Sequence, residues 1–193
     1  LDLKMNRSFA QEKPGKLNNF IGVKYHIQWD DPEDLISLHN FKDGYCGISR
    51  IEEEQYCLCY LTTANNLGLS NNSIRQMETT ILSVNPYLER IFREAKKIRQ
   101  EPVSIAQVSF APKSQLENHV LMVGDAAGLI TPLCGNGMSM ALHASYLAVQ
   151  AGLPFLEGVC SRTEMETAYV NNWRHFFASR LRAGRMIQSF FGD

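Results

Sequence analysis

The sequence predicts an α/β fold in the broad sense (α+β): an antiparallel sheet backed by helices, then a strand–turn–helix unit. Three observations predict it. Residues 20–62 hold successive β-type runs separated by turn signals. Residues 70–97 hold two stretches of helical periodicity. Residues 119–151 run from an apolar segment through a Gly-Asp turn and a Pro/Gly loop into an Ala-rich stretch.

The elements follow in order. Residues 20–29, FIGVKYHIQW, alternate apolar and polar side chains, the pattern of a half-buried strand, and Asp30-Asp31-Pro32 ends it. Residues 35–41 form the next strand. Lys42-Asp43-Gly44 is a hairpin signal leading into YCGISRI, and 55–62 give a further β run. Three or four antiparallel strands in sequence make a meander. Ser70 or Asn71 caps a helix to about Leu82, and a second helix runs from Pro86 to about Lys97. On the second, Leu88, Ile91, Phe92 and Ala95 share one face. Residues 103–110 return as a strand.

A different unit begins near Pro112. Residues 119–124, HVLMVG, are a continuous apolar run, as in a parallel strand buried on both faces. A helix follows from about Gly137 to Ala151, and the chain turns helical again from Arg162. No internal repeat or low-complexity segment is visible.

Composition excludes several classes. Apolar content of 45% and charge of 20% are ordinary globular values. A net charge of −1 gives no basic footprint for nucleic acid. No apolar run reaches the ~18 residues of a membrane span, which leaves peripheral membrane contact open. The five cysteines, at 46, 57, 59, 134 and 160, form no paired framework; reduced thiols in the cytoplasm are expected. The five histidines show no metal-ligand spacing. The first residues, LDLKMNRSFAQEKPGK, lack the apolar core of a signal peptide, and both ends read as cuts within a longer protein.

The chemistry concentrates in GDAAGLITPLCGNGMSMAL. Asp125 follows an apolar strand, at the end where open α/β sheets bind ligands, and a carboxylate there accepts hydrogen bonds from sugar or ribityl hydroxyls. Ala126, Ala127 and Gly128 leave room for a pyrophosphate or ring to approach the backbone. A tight turn with a capping Asp explains GDAAG equally well. The next residues tilt the balance. Pro132 stiffens the loop, Gly135 and Gly137 permit unusual backbone angles, and Asn136 can cap the helix. The open helix N-terminus favours the negative charge of a reduced flavin. Gly135-Asn136-Gly137 is not a Rossmann fingerprint, because Met140 holds the third glycine position.

These residues resemble the second flavin motif of FAD-dependent monooxygenases of the para-hydroxybenzoate hydroxylase type. They are closer still to the geranylgeranyl reductase-like group. FKDGYCGIS loosely resembles that group's substrate-domain strand. The resemblance implies a connector over 1–17, a β-sheet substrate domain over 18–112, and over 113–193 the C-terminal part of a Rossmann-like FAD-binding domain. It implies that Asp125 bonds the ribityl chain and that Gly124, Ala126 and Ala127 line the pyrophosphate and ribityl. Pro132, Gly135, Asn136, Gly137 and Met138 border the isoalloxazine ring. Tyr45 or Cys46 would touch substrate, depending on which face looks inward. The N-terminal GxGxxG and the central Asp-Gly motif of the group do not occur in this sequence.

The resemblance thus implies an FAD-dependent oxidoreductase acting on an apolar or aromatic small molecule. The reaction would be NAD(P)H- and O2-dependent hydroxylation or flavin-hydride reduction of a C=C bond; these 193 residues alone would be inactive and bind FAD poorly. The alternatives are a non-catalytic binding module that keeps the fold, or a flavin-dependent halogenase, whose WxWxIP signature is absent: the tryptophans are Trp29 and Trp173. No catalytic acid or base is named. Arg180, Arg182 and Arg185, with Lys96, Lys97 and Arg99, read as solvated helix faces. Arg174 to Phe191 could form a lid or partner surface, with Phe176, Phe177, Phe190 and Phe191 seeking cover. His143 reads as packing, and Cys134 as a filler of the flavin loop.

Overall fold

A computed structural model describes residues 19–132 and 135–188. The meander forms as expected. Strands β1 (Phe20–Gln28), β2 (Ile36–Phe41), β3 (Gly44–Arg50) and β4 (Tyr56–Thr63) assemble in the order β2-β3-β4-β1. Strands β5 (Lys96–Lys97) and β6 (Val103–Val108) both pair with β1, and every pairing is antiparallel. The β2–β3 turn bends through Asp43 at φ +59°.

Alternation along β1 separates the faces of the sheet. Ile21, Val23, Tyr25 and Ile27 point to one core, where they meet Cys46, Ile48, Leu58 and Tyr60. Helices α2 (Ile74–Thr80) and α3 (Pro86–Glu94) close that core with Met77, Leu88 and Ile91. Burying such side chains supplies about 1.5–3 kcal/mol each. Within this core the Glu78 carboxylate accepts hydrogen bonds from Tyr25 Oη (2.7 Å) and Tyr60 Oη (3.0 Å). Lys97 Nζ lies 3.4 Å from the same carboxylate and 4.0 Å from the Tyr25 ring centroid.

A smaller cluster, Phe20, Tyr45, Leu61 and Phe110, joins the opposite face of the sheet to Leu129 of the following unit. In that unit, β7 (Leu116–Glu117) and β8 (Val120–Leu121) form a short antiparallel hairpin. Helices α4 (Gly137–Leu156) and α5 (Arg162–Gln188) pack into a helical hairpin. Met165, Tyr169, Trp173, Phe177 and Leu181, each four residues apart, make one buried stripe of α5. Ser161 and Glu164 start α5 with a reciprocal capping box.

Several expectations change. The run 119–124 is not a parallel strand buried on both faces: only Val120–Leu121 pair, with β7, and Val120 is exposed. No parallel partner exists among the described residues, so the apolar run has nothing to extend against. The first helix is not capped by Ser70 or Asn71. A short helix α1 (Ala64–Leu69) ends at Ser70, and Ser73 caps α2 by accepting from the Gln76 N–H. Helix α3 stops at Glu94; Lys96 and Lys97 are strand residues beside β1, so Lys97 is not a solvated helix charge. Strand β6 ends at Val108 rather than 110. Helix α4 passes Ala151 and runs through Pro154 to Leu156. Proline so near a helix end removes one donor, and the buried Ala151 keeps the last turns against α5.

Candidate functional site

Gly124–Ala126 form a 3-10 turn directly after the β7–β8 hairpin. Gly124 sits at φ +56°, a conformation that glycine adopts without Cβ cost. Its carbonyl accepts from the Ala127 and Gly128 N–H groups at 3.0 and 3.3 Å. Ala127 and Gly128 are buried, whereas Asp125 and Ala126 are exposed. The turn is thus anchored on one side and open on the other. Lys113 Nζ donates to the Asp125 carbonyl at 2.9 Å, and Gln115 Nε2 donates to the Ala127 carbonyl at 3.1 Å.

Helix α4 begins beside this turn. A Cβ on Gly124 would lie 3.5 Å from Ala141 Cβ, one helical turn along from Gly137. Asn136 occupies the N-cap position, but its side chain makes no cap hydrogen bond. The N–H groups of Gly137, Met138 and Ser139 therefore have no partner among the described residues. No acidic side chain sits in the first turn of α4. Its N-terminus carries the helix dipole, equivalent to roughly +0.5 charge. Gly135, at φ +60° with no atom within 4 Å of an added Cβ, is exposed, as are Pro132 and Met138. Gly137 adopts ordinary helical geometry. Leu133 and Cys134 lie outside the described residues.

Asp125 thus offers an exposed carboxylate, the start of α4 unpartnered amides, and Gly135 an open glycine. Chemically this is an acceptor for hydroxyls together with donors for an electron-rich group.

Tyr45 and Cys46 separate cleanly. Cys46 is fully buried on the helix side of the sheet, and burial pushes its thiol well above the ordinary range. Tyr45 points to the opposite face, in the cluster that reaches Leu129. His143 packs between Phe176 and Phe177, with ring centroids 4.7 and 5.2 Å away. Phe177 is core and Phe176 partly exposed; Phe190 and Phe191 lie outside the described residues.

Sequence reasoning missed the supports of the turn. Lys113 and Gln115 come from a segment without periodicity, so nothing marked them. Tyr169, whose hydroxyl donates to the Met122 carbonyl, belongs to the every-fourth-residue stripe, which was readable. Burial pushes its hydroxyl up to about 12. No group of three or more His, Cys, Asp or Glu residues could hold a metal among the described residues.

No protein-family model matches the chain. A digeranylgeranylglycerophospholipid reductase of Methanosphaerula palustris is 32% identical over 114 residues, 58% of this chain and 28% of that protein. Conditioned medium factor receptor 1 of Dictyostelium discoideum is 27% identical over 109 residues, 54% of this chain and 20% of that protein. A geranylgeranyl bacteriochlorophyll reductase-like structure from Thermoplasma acidophilum superposes with TM-score 0.68 at 17% identity, over 92% of this chain and 44% of that one. A myxobacterial chondrochloren halogenase, described as FAD-dependent, gives 0.67 at 14% identity over 84% of this chain and 39% of that one. The probable FAD-dependent monooxygenase PqsL of Pseudomonas aeruginosa gives 0.63 at 13% identity over 96% of this chain and 52% of that one. The chain shares the fold of these three structures, the fold that the sequence resemblance implied. The chain spans less than a third of the length of these two curated relatives and about two-fifths to half of these three structures.

Proposed function

We propose that this chain supplies the isoalloxazine- and ribityl-binding half of an FAD site in an oxidoreductase. The observation that carries the reading is the uncapped start of α4 beside the exposed Asp125 turn. In this reading Asp125 accepts hydrogen bonds from ribityl hydroxyls, and Gly124, Ala126 and Ala127 give the pyrophosphate and ribityl close access to the backbone. Pro132, Gly135, Asn136, Gly137 and Met138 border the ring, with the N–H groups of 137 and 138 near its electron-rich edge. When bound, the flavin supplies the redox chemistry: oxygen-dependent hydroxylation after reduction by NAD(P)H, or hydride delivery to a C=C bond.

Residues 18–112 form the substrate part in this reading and 113–193 the C-terminal part of the FAD domain. The substrate is an apolar or aromatic small molecule on the Tyr45 face of the sheet. That face suits it, because Leu38 and Ile105 are exposed there on strands flanking β3, β4 and β1. The compartment is the cytoplasm, in keeping with free Cys46, Cys57, Cys59 and Cys160. No helix among the described residues is long and apolar enough to cross a membrane. The test is an FAD titration followed by flavin fluorescence, comparing the chain with its Asp125→Ala variant. A marked loss of affinity in the variant supports the assignment; equal affinity removes Asp125 from it.

A further inference from the structure

A second recess lies against the end of the turn, at Ala127 and Gly128. It encloses about 250 Å³ between α5 and the loop that carries Lys113. Trp173, Leu181 and Gly128 form its apolar floor. Its rim carries four cations: Lys113, Arg174, Arg182 and Arg185. The three arginines are spaced by eight and three residues, which returns them to one face of α5, and the small Ala178 between them opens the recess.

Not one acidic side chain is among the described lining residues. Arg174 Nε donates to Gln115 Oε1 at 3.3 Å, but Arg182 and Arg185 have no ion-pair partner among the described residues. On α3, by contrast, Arg90 is matched with Glu94, and Arg93 with Glu89 and Glu94. Like charges around one recess repel unless an anion joins them. Guanidinium forks suit tetrahedral or planar oxyanions bidentately. Three guanidinium groups exceed what one carboxylate balances, whereas a phosphate ester or diphosphate brings more charge and more oxygens. The volume lies below the ~300–1,000 Å³ of a whole small-molecule site, so it fits a phosphate group with a few adjoining atoms.

We propose that this recess binds a phosphate-bearing ligand through Arg174, Arg182 and Arg185. The site shares Ala127 with the flavin reading, and its three arginines lie outside that reading. The phosphate belongs either to a soluble phosphate ester or to a lipid headgroup.

The test uses the full 193-residue chain. Sodium pyrophosphate is titrated by calorimetry at low ionic strength into the chain, into R182Q/R185Q, and into R180Q, whose arginine lies on α5 outside the recess. Binding with a Kd of about 1 mM or tighter, about tenfold or more weaker in the double variant and unchanged in R180Q, is expected. Circular dichroism confirms the fold of each variant. Sedimentation with phosphatidylcholine vesicles, with and without phosphatidylglycerol, separates the sources. Anionic-vesicle binding lost in the double variant assigns a lipid headgroup; pyrophosphate binding alone assigns a soluble ester. No saturable heat to about 10 mM, or equal affinity in R182Q/R185Q, overturns the proposal.

Discussion

Gly128 lies flush against Trp173. A Cβ on Gly128 would stand 2.9 Å from Trp173 Cη2 and 3.0 Å from Leu181 Cδ1. The loop after the Asp125 turn can approach α5 only because position 128 lacks a side chain. Gly128→Ala must push the indole or the loop aside, at about 1–3 kcal/mol. For a chain of this length that is a fall in Tm of roughly 2–12 °C, read by thermal melting. An unchanged Tm would show that the contact is slack.

The Glu78 carboxylate holds two tyrosine hydroxyls and Lys97 inside the sheet–helix core. Glu78→Ala leaves both hydroxyls without that acceptor and Lys97 without its counter-charge, which costs about 3–5 kcal/mol. Glu78→Gln keeps an acceptor and costs less, about 1–3 kcal/mol. Urea unfolding of the two variants measures the order, and equal losses would contradict it.

Alkaline pH tests the same cluster. Burial first, then the hydrogen bond to Glu78, raises the Tyr25 hydroxyl above its ordinary 10.0. Burial first, then the Glu78 charge, raises Tyr60 above the same value. Both groups stay neutral in the folded chain at a pH where the unfolded chain ionises. Their contribution is therefore fully present below about pH 10 and is lost as pH rises towards the folded values. Tm should fall above pH 10, and the fall should be shallower in Y25F/Y60F. A parallel fall in the double variant would contradict the assignment.

The starts of α2, α3 and α4 differ in a measurable way. Ser73 and Asn85 accept from the N–H groups of Gln76 and Tyr87, whereas Asn136 makes no such bond. Ser73→Ala and Asn85→Ala should each cost about 1 kcal/mol, and Asn136→Ala should cost only a few tenths. A loss of about 1 kcal/mol at Asn136 would mean that its side chain does cap α4, closing the amides that the flavin reading needs open.

The meander was legible because alternation reports which face of a strand is buried, and β1 to β4 alternate in sequence. The helical hairpin was legible in principle from Met165, Tyr169, Trp173, Phe177 and Leu181 at every fourth position. The run 119–124 misled, because a continuous apolar stretch says that a strand wants cover on both faces, not that the cover is present. Cap positions shifted because Ser70, Asn71 and Ser73 all suit a cap, and only the left-handed Asn71 and Asn72 decide among them. At the candidate site the motif marked the turn and the helix start. It could not show that Lys113 and Gln115 hold the turn, nor that Arg182 and Arg185 share a recess, since those neighbours meet only through tertiary packing.

The central claim is that the Asp125 turn and the start of α4 hold a flavin. Titration of FAD into the 193-residue chain and its Asp125→Ala variant tests it most directly. The sequence holds no GxGxxG cradle for the ADP half, so the chain should bind weakly, with a Kd above about 1 μM, and the variant about tenfold more weakly still. Equal affinity of chain and variant, or no binding by either at about 1 mM FAD, would contradict the account and favour a binding module that keeps the fold without the cofactor.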